Sequence, residues 1–209
     1  MILSHKYKFV FIGVPKTGTQ SMSEILSLYE KTPPTRFLDK INKTGYHQPF
    51  YAHAKAETVK KYFIENGWDW DKYFKFCFVR NPWDRAVSSY SYKLRTDFKD
   101  KKFSRHCSLM RKQIKNFNEF VNSKFLFHEN QTDFFLTNNN ESLVDFVGRF
   151  ENIDSDFNFI CKTIGIPNWK LPKINQTNHK FYKSYYDNEL IEVVRHKFQR
   201  DIDLLGYDF

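Results

Sequence analysis

Apolar residues first gather at Phe9-Val10-Phe11-Ile12, an unbroken aromatic and β-branched run of the kind that forms a buried central strand. A turn follows from Gly13 to Thr19. The period then changes, with Met22, Ile25, Leu26 and Tyr29 recurring at helical spacing. Pro33-Pro34 marks a stop within a polar connection from about Lys31 to Tyr51. Ala56, Val59, Lys60 and Phe63 predict a second helix over about Ala54 to Asn66, ended by Gly67. Tyr73 to Arg80 predicts a second buried strand. Asn81-Pro82 then opens a helix, Asn81 as its cap and Pro82 in the first turn, where a missing N–H costs nothing.

The middle of the chain is patterned more weakly. Arg95 to Asn116 is charged and reads as an insertion or mobile surface, with helical character returning over about Ile114 to Val121. Gln131 to Leu136 and Leu143 to Phe150 are short apolar segments, and Val144 to Gly148 predicts a strand. Asn152 to Ile164 predicts a helix with Gly165 at its C′ position and Pro167 beyond. After a polar loop from Asn168 to Tyr182, Leu190, Val193, Val194, Phe198, Ile202 and Leu205 keep helical spacing in a last helix from about Asp187 to Leu205. No repeat and no linker interrupts the chain. The expectation is one α/β domain spanning residues 1–209, P-loop-like, with a central parallel sheet flanked by helices.

Composition narrows this only in part. A chain of 209 residues suffices for one such domain with a real core and is short for two. The formal net charge of +9 points to an anionic partner: a nucleotide, an acidic sugar, a nucleic acid or a membrane surface. An excess of lysine alone does not choose among them. Cys77, Cys107 and Cys161 are widely spaced and form no C-x-x-C, which argues against a disulfide framework and a structural zinc site. Cys77 lies within an apolar strand and reads as a small buried hydrophobe. The start, MILSHKYK, is too short for a signal peptide, and no apolar run approaches the length of a membrane span. The expectation is therefore a cytoplasmic protein without an integral membrane segment.

The strand, turn and helix from Tyr7 to Tyr29 carry the clearest chemistry. A turn of this kind aims backbone N–H groups at an anion, and the helix dipole favours negative charge there. A nucleoside-triphosphatase loop reads G-x-x-x-x-G-K-[ST], its lysine directly after the second glycine and its hydroxyl on Mg²⁺. Here Gly13 and Gly18 have that spacing, but Thr19 stands at the lysine position and Gln20 at the metal-binding hydroxyl position. Lys16 comes two residues before the second glycine instead. The loop thus reads as a phosphate cradle that works without a metal. A second candidate lies at the next strand-to-helix junction, where Arg80 and Ser88 are eight residues apart. A guanidinium fork and a neutral hydroxyl donor there can share one phosphate. In an open parallel sheet both junctions lie at the carboxyl edge, where ligands bind.

These motifs carry a resemblance. VPKTGTQSM resembles the 5′-phosphosulfate loop of sulfotransferases and FVRNPWDRAVSSY their 3′-phosphate motif. VGRFENIDSDF and the tail LPKINQTNHKFY, YYDNELIEVV and FQRDIDLLGYDF are similar to the carbohydrate-type sulfotransferase family, family 2. The resemblance implies the sulfotransferase fold and transfer of a sulfuryl group from 3′-phosphoadenosine 5′-phosphosulfate to an acceptor hydroxyl or amine. It implies no metal, and 3′,5′-bisphosphoadenosine as product. Lys16 would lie against the bridging oxygen of the leaving phosphate, with Thr17, Gly18, Thr19, Gln20 and Ser21 cradling the 5′-phosphate. Arg80 and Ser88 would hold the 3′-phosphate. Thr177 and Lys180, in a loop closing over the nucleotide, and Arg149 would complete the donor site.

A proton acceptor is also needed, and histidine is the usual choice near neutral pH. His53, in YAHAKAE, matches the family's histidine position best, with His47 next and His179 in the closing loop. The expected acceptor is a carbohydrate, an anionic one included; no nucleic-acid partner is expected, and the pattern does not set the oligomeric state. Two other classes compete: a non-catalytic nucleotide- or polyanion-binding module, and a small P-loop kinase, the latter disfavoured by Thr19 and Gln20. Asp84 and Arg85 read as structural, an Arg80–Asp84 ion pair being the plain alternative for Arg80. Trp68, Trp70 and Trp83 read as packing residues, and Glu151 as a partner for Arg149 or an acceptor contact.

Overall fold

The structure, a computed structural model, describes residues 1–29, 53–174 and 180–209. They form two compact units: residues 1–79 with 131–174, and residues 80–130 with 175–209. The predicted connection from Lys31 to Tyr51 lies outside the described residues.

The first unit is built on a four-stranded sheet in the order β1 (Ile2–Ser4), β2 (Phe9–Ile12), β3 (Phe74–Val79) and β4 (Phe146–Arg149). β2, β3 and β4 are parallel, with Phe11 opposite Phe76 and Phe78 opposite Gly148. β1 is antiparallel to β2, so the sheet is mixed where a parallel one was expected. The cause is the connection. His5 to Lys8 is four residues long, enough for a tight turn and far too short for a crossover. Lys8 takes a positive φ of 51° in that turn, and Ser4 Oγ donates to the Tyr29 carbonyl at 2.8 Å. All four residues of β2 are buried, which accounts for its unbroken apolar run.

Helix α1 (Thr19–Leu26) follows β2 and buries Met22, Ile25 and Leu26, as their spacing predicts; α2 (Ala56–Glu65) buries Val59 and Phe63. The core joins Phe11, Met22, Leu26, Phe76, Phe157 and Ile160. Cys77 is fully buried in β3, and burial pushes its thiol pKa up. The fourth strand starts two residues later than Val144. At its entry Asp145 exchanges hydrogen bonds with the Lys75 backbone and pairs with the Lys75 amine at 3.0 Å. Gly148 is needed for packing, because a Cβ there would fall 2.5 Å from the Phe78 ring.

The second unit is helical: α3 (Pro82–Leu94), α4 (Lys101–Gln113), α5 (Phe117–Val121), α7 (Asn188–Lys197) and α8 (Gln199–Leu205). α6 (Ile153–Ile164) belongs to the first unit and ends at Gly165 with φ 72°, as expected. The stretch read as an insertion is α4. Its only fully buried side chains are Cys107 and Met110, so its apolar period is faint. Asp100 caps it, accepting from the Phe103 N–H at 2.6 Å. The single C-terminal helix expected is two, broken at Phe198, whose φ of −121° and ψ of 29° are not helical. Apolar spacing runs through the break because Val194, Phe198 and Ile202 all face the same core. Arg85 and Asp201 are both buried in this unit, 3.8 Å apart, with the Arg85 guanidinium 3.8 Å from the Phe127 ring centroid.

Candidate active site

The turn between β2 and α1 is shaped by its own side chains. Thr17 and Thr19 are buried, and both hydroxyls donate to the Val14 carbonyl, at 3.0 and 2.7 Å. Each hydroxyl has one hydrogen, so neither donates elsewhere. What the turn can offer an anion is therefore the backbone N–H groups opening α1, which have no acceptor one turn back. No acidic residue lies between Val10 and Ser23, so the donor set suits an anion.

Two backbone positions hold the shape. Gly18 caps α1 with φ 80°, and a Cβ there would fall 2.7 Å from Ile153 Cδ1, so both conformation and space require glycine. Lys16 has φ 70°, a left-handed conformation that costs a non-glycine residue energy. Of the remaining loop residues, Gln20 is exposed, and Ser21 Oγ accepts from the Ile174 N–H at 3.3 Å.

His53 belongs to the same unit and is fixed to the start of the same turn. Its Nδ1 lies 2.7 Å from the Gly13 carbonyl oxygen. A carbonyl only accepts, so Nδ1 carries the hydrogen, and the neutral ring keeps its lone pair on Nε2. That anchor was not legible in the sequence, where His53 and Gly13 are forty residues apart. His47, His179 and Thr177 lie outside the described residues.

Arg149 ends β4, and its backbone N–H donates to Asp156 Oδ2 at 2.7 Å. The acid at this backbone is thus Asp156, which sequence reasoning passed over.

In the second unit Arg80 is buried and its Nε donates to Asp84 Oδ2 at 2.7 Å. The ion pair held as the plain alternative is present. Asn81 caps α3 through Oδ1, accepting from the N–H groups of Trp83 and Asp84, and its Nδ2 donates to the Asp208 carbonyl at 2.8 Å. Tyr186 Oη donates to the Trp83 carbonyl at 2.9 Å, and burial pushes its phenol pKa up. Ser88 is buried one turn beyond Asp84, so Asp84 and Ser88 share one helix face. Lys180 is exposed.

A strand, a lysine-bearing turn without acids and a helix N-terminus thus stand together in the first unit, with a histidine tied to the turn. The chain belongs to the sulfotransferase family, whose sequence profile matches residues 1–208. It is also similar to an uncharacterized protein of Archaeoglobus fulgidus, 32% identical over 117 residues, which are 54% of this chain and 85% of that protein. No solved structure matches the chain. Among the described residues no helix is long and apolar enough to cross a membrane, and no group of three or more His, Cys, Asp or Glu side chains is placed to hold a metal ion.

Proposed function

We propose that the chain is one sulfotransferase domain that moves a sulfuryl group from 3′-phosphoadenosine 5′-phosphosulfate to an acceptor hydroxyl, most simply of a carbohydrate. The observation that carries the reading is the turn from Gly13 to Thr19, whose Thr17 and Thr19 hydroxyls are spent on the Val14 carbonyl, which leads into the N-terminus of α1 and holds Lys16 in a left-handed conformation. Family membership over residues 1–208 supports the reaction class.

In this reading the N–H groups from Thr17 to Ser21 hold the donor's 5′-phosphate. The Lys16 ammonium lies against the oxygen that leaves with it, stabilising the charge that develops there. His53 takes the proton of the acceptor hydroxyl on Nε2, while Gly13 keeps the ring in the tautomer this requires. The acceptor oxygen forms the new bond to sulfur as the bond from sulfur to the phosphate oxygen breaks. The products are a sulfate ester, 3′,5′-bisphosphoadenosine and a proton held on His53. Arg80 and Ser88 hold the 3′-phosphate, and Arg149, Lys180 and Thr177 complete the donor contacts. Metal ions have no assigned role, since lysine and backbone donors supply the positive charge.

Calorimetry tests the reading. 3′,5′-Bisphosphoadenosine should bind in the micromolar range with or without Mg²⁺, and ATP much more weakly. Mg²⁺-dependent ATP binding with no binding of the bisphosphate would overturn it. A transfer screen with radiolabelled donor sulfate over glycans, lipids and small alcohols then identifies the acceptor.

A further inference from the structure

Helix α4 carries more positive charge than its one acidic neighbour, the Asp100 cap, offsets. From Lys99 to Lys115 there are seven basic residues against one acidic residue, a formal excess of +6 out of the chain's +9. Lys101 and Lys102 occupy the first turn, where the helix dipole disfavours cations, and that turn has no acidic residue. Lys101 and Arg105 repel one another at i and i+4.

Some cations elsewhere have a carboxylate partner, Lys61 with Glu57, Lys72 with Asp69 and Arg195 with Glu192. Lys99, Lys101, Lys102, Arg105, Lys112 and Lys115 are all exposed, and none pairs with a carboxylate among the described residues. The nearby acids are otherwise engaged. Asp97 binds Arg95, Asp100 caps α4, and Glu119 accepts the Lys115 backbone N–H. Rule-breaking of this kind marks functional surfaces.

The geometry of the face narrows the partner. At about 100° per residue, Lys101, Arg105 and Lys112 fall within about 40° of one another, and Leu109 and Lys102 lie next to them. Leu109 is 48% exposed in the middle of these cations. Arg111 lies well away from this face and clamps the end of α3, donating to the carbonyls of Lys93 and Arg95. An exposed leucine among long cationic side chains suits the boundary between headgroups and acyl chains. It is idle against an acidic polymer. The exposed face has no aromatic ring for base stacking, since Phe103 packs on Tyr92 and Phe98.

We propose that the basic face of α4, with Leu109, docks the protein on an anionic phospholipid bilayer. The contact is peripheral, made by charge and shallow apolar insertion, and does not depend on the sulfotransferase reading.

Co-sedimentation of the full chain with vesicles tests this. Vesicles of phosphatidylcholine with about one third phosphatidylserine should carry the protein down, and phosphatidylcholine alone should not. Each surface cation contributes about fivefold to such partition, so Lys101→Gln, Lys102→Gln and Arg105→Gln together should lower it about a hundredfold. Leu109→Ser should lower it about fivefold at unchanged charge, and should leave binding to dextran sulfate unaltered. Wild-type circular dichroism and thermal midpoint certify each variant; should the triple variant fail to fold, Lys112→Gln with Lys115→Gln replaces it. No sedimentation with anionic vesicles, equal sedimentation with neutral ones, or an indifferent Leu109→Ser beside parallel losses for vesicles and dextran sulfate would each overturn the proposal. The last outcome would make the face a general polyanion surface.

Discussion

The Nδ1 of His53 lies 2.7 Å from the carbonyl oxygen of Gly13, the residue that opens the turn between β2 and α1. One hydrogen bond thus sets both the tautomer of the ring and its position against the loop. Asn can keep the Nδ1 donor in His53→Asn while removing Nε2. That variant should fold with wild-type stability and lose about a hundredfold or more in turnover, the usual worth of a general base. Steady-state transfer kinetics and a urea melt check it, and unchanged turnover would remove His53 from the reaction.

Lys16 combines a proposed chemical role with backbone strain, since its φ of 70° suits glycine better than lysine. Lys16→Gly and Lys16→Ala should both abolish transfer. They should differ in stability, the glycine variant being the more stable by about 1 kcal/mol because it alone relieves the left-handed strain. Equal urea midpoints would mean that the turn is not strained at this residue.

Arg80 is buried against Asp84, so its guanidinium plane is held before any ligand arrives. Arg80→Ala should raise the donor KM by about tenfold or more and leave turnover at saturating donor nearly unchanged, the pattern of lost uniform binding. It should also narrow the preference for 3′,5′-bisphosphoadenosine over adenosine 5′-monophosphate, read by calorimetry. A fall in turnover at constant KM would place Arg80 at the reacting atoms instead.

Lys93 gives a pH-dependent prediction. Burial pushes its amine down to about 8 from an ordinary 10.5, with Cys107 pulling weakly the other way, and the amine donates to the Phe125 carbonyl. Between those values the unfolded chain binds more protons, so this group's contribution to stability rises with pH across the window, and its cost is fully present below about 8. Lys93→Met removes the cost and also the hydrogen bond. The variant should be the more stable by about 1 kcal/mol at neutral pH, with the gap closing as pH approaches the ordinary lysine value. Denaturant melts of both proteins across that range decide it; a gap independent of pH would assign the change to packing.

Legibility followed the strength of local signals. β2, β3, α3 and α6 were readable because each joins a strong period to a definite stop: four buried residues in β2, the Asn81-Pro82 start of α3, Gly165 after α6. β1 was missed because three residues carry no period, and its place depends on pairing with β2. α4 was missed because only Cys107 and Met110 are fully buried, too few to outweigh its charge pattern. The break at Phe198 left the apolar spacing intact and so left no trace in it.

The sequence by itself determined the motifs: a lysine displaced from the metal-dependent position, glycines at Gly13 and Gly18, and Arg80 and Ser88 after a buried strand. These are contiguous, and covalent spacing on a strand, turn or helix is enough to specify them. Tertiary structure alone decided how the side chains are used. Thr17 and Thr19 turn inward on Val14, and His53 reaches back across forty residues to Gly13. Which hydrogen of a hydroxyl, ring or guanidinium is already engaged depends on what the folded chain brings within bonding distance, and no periodicity encodes that.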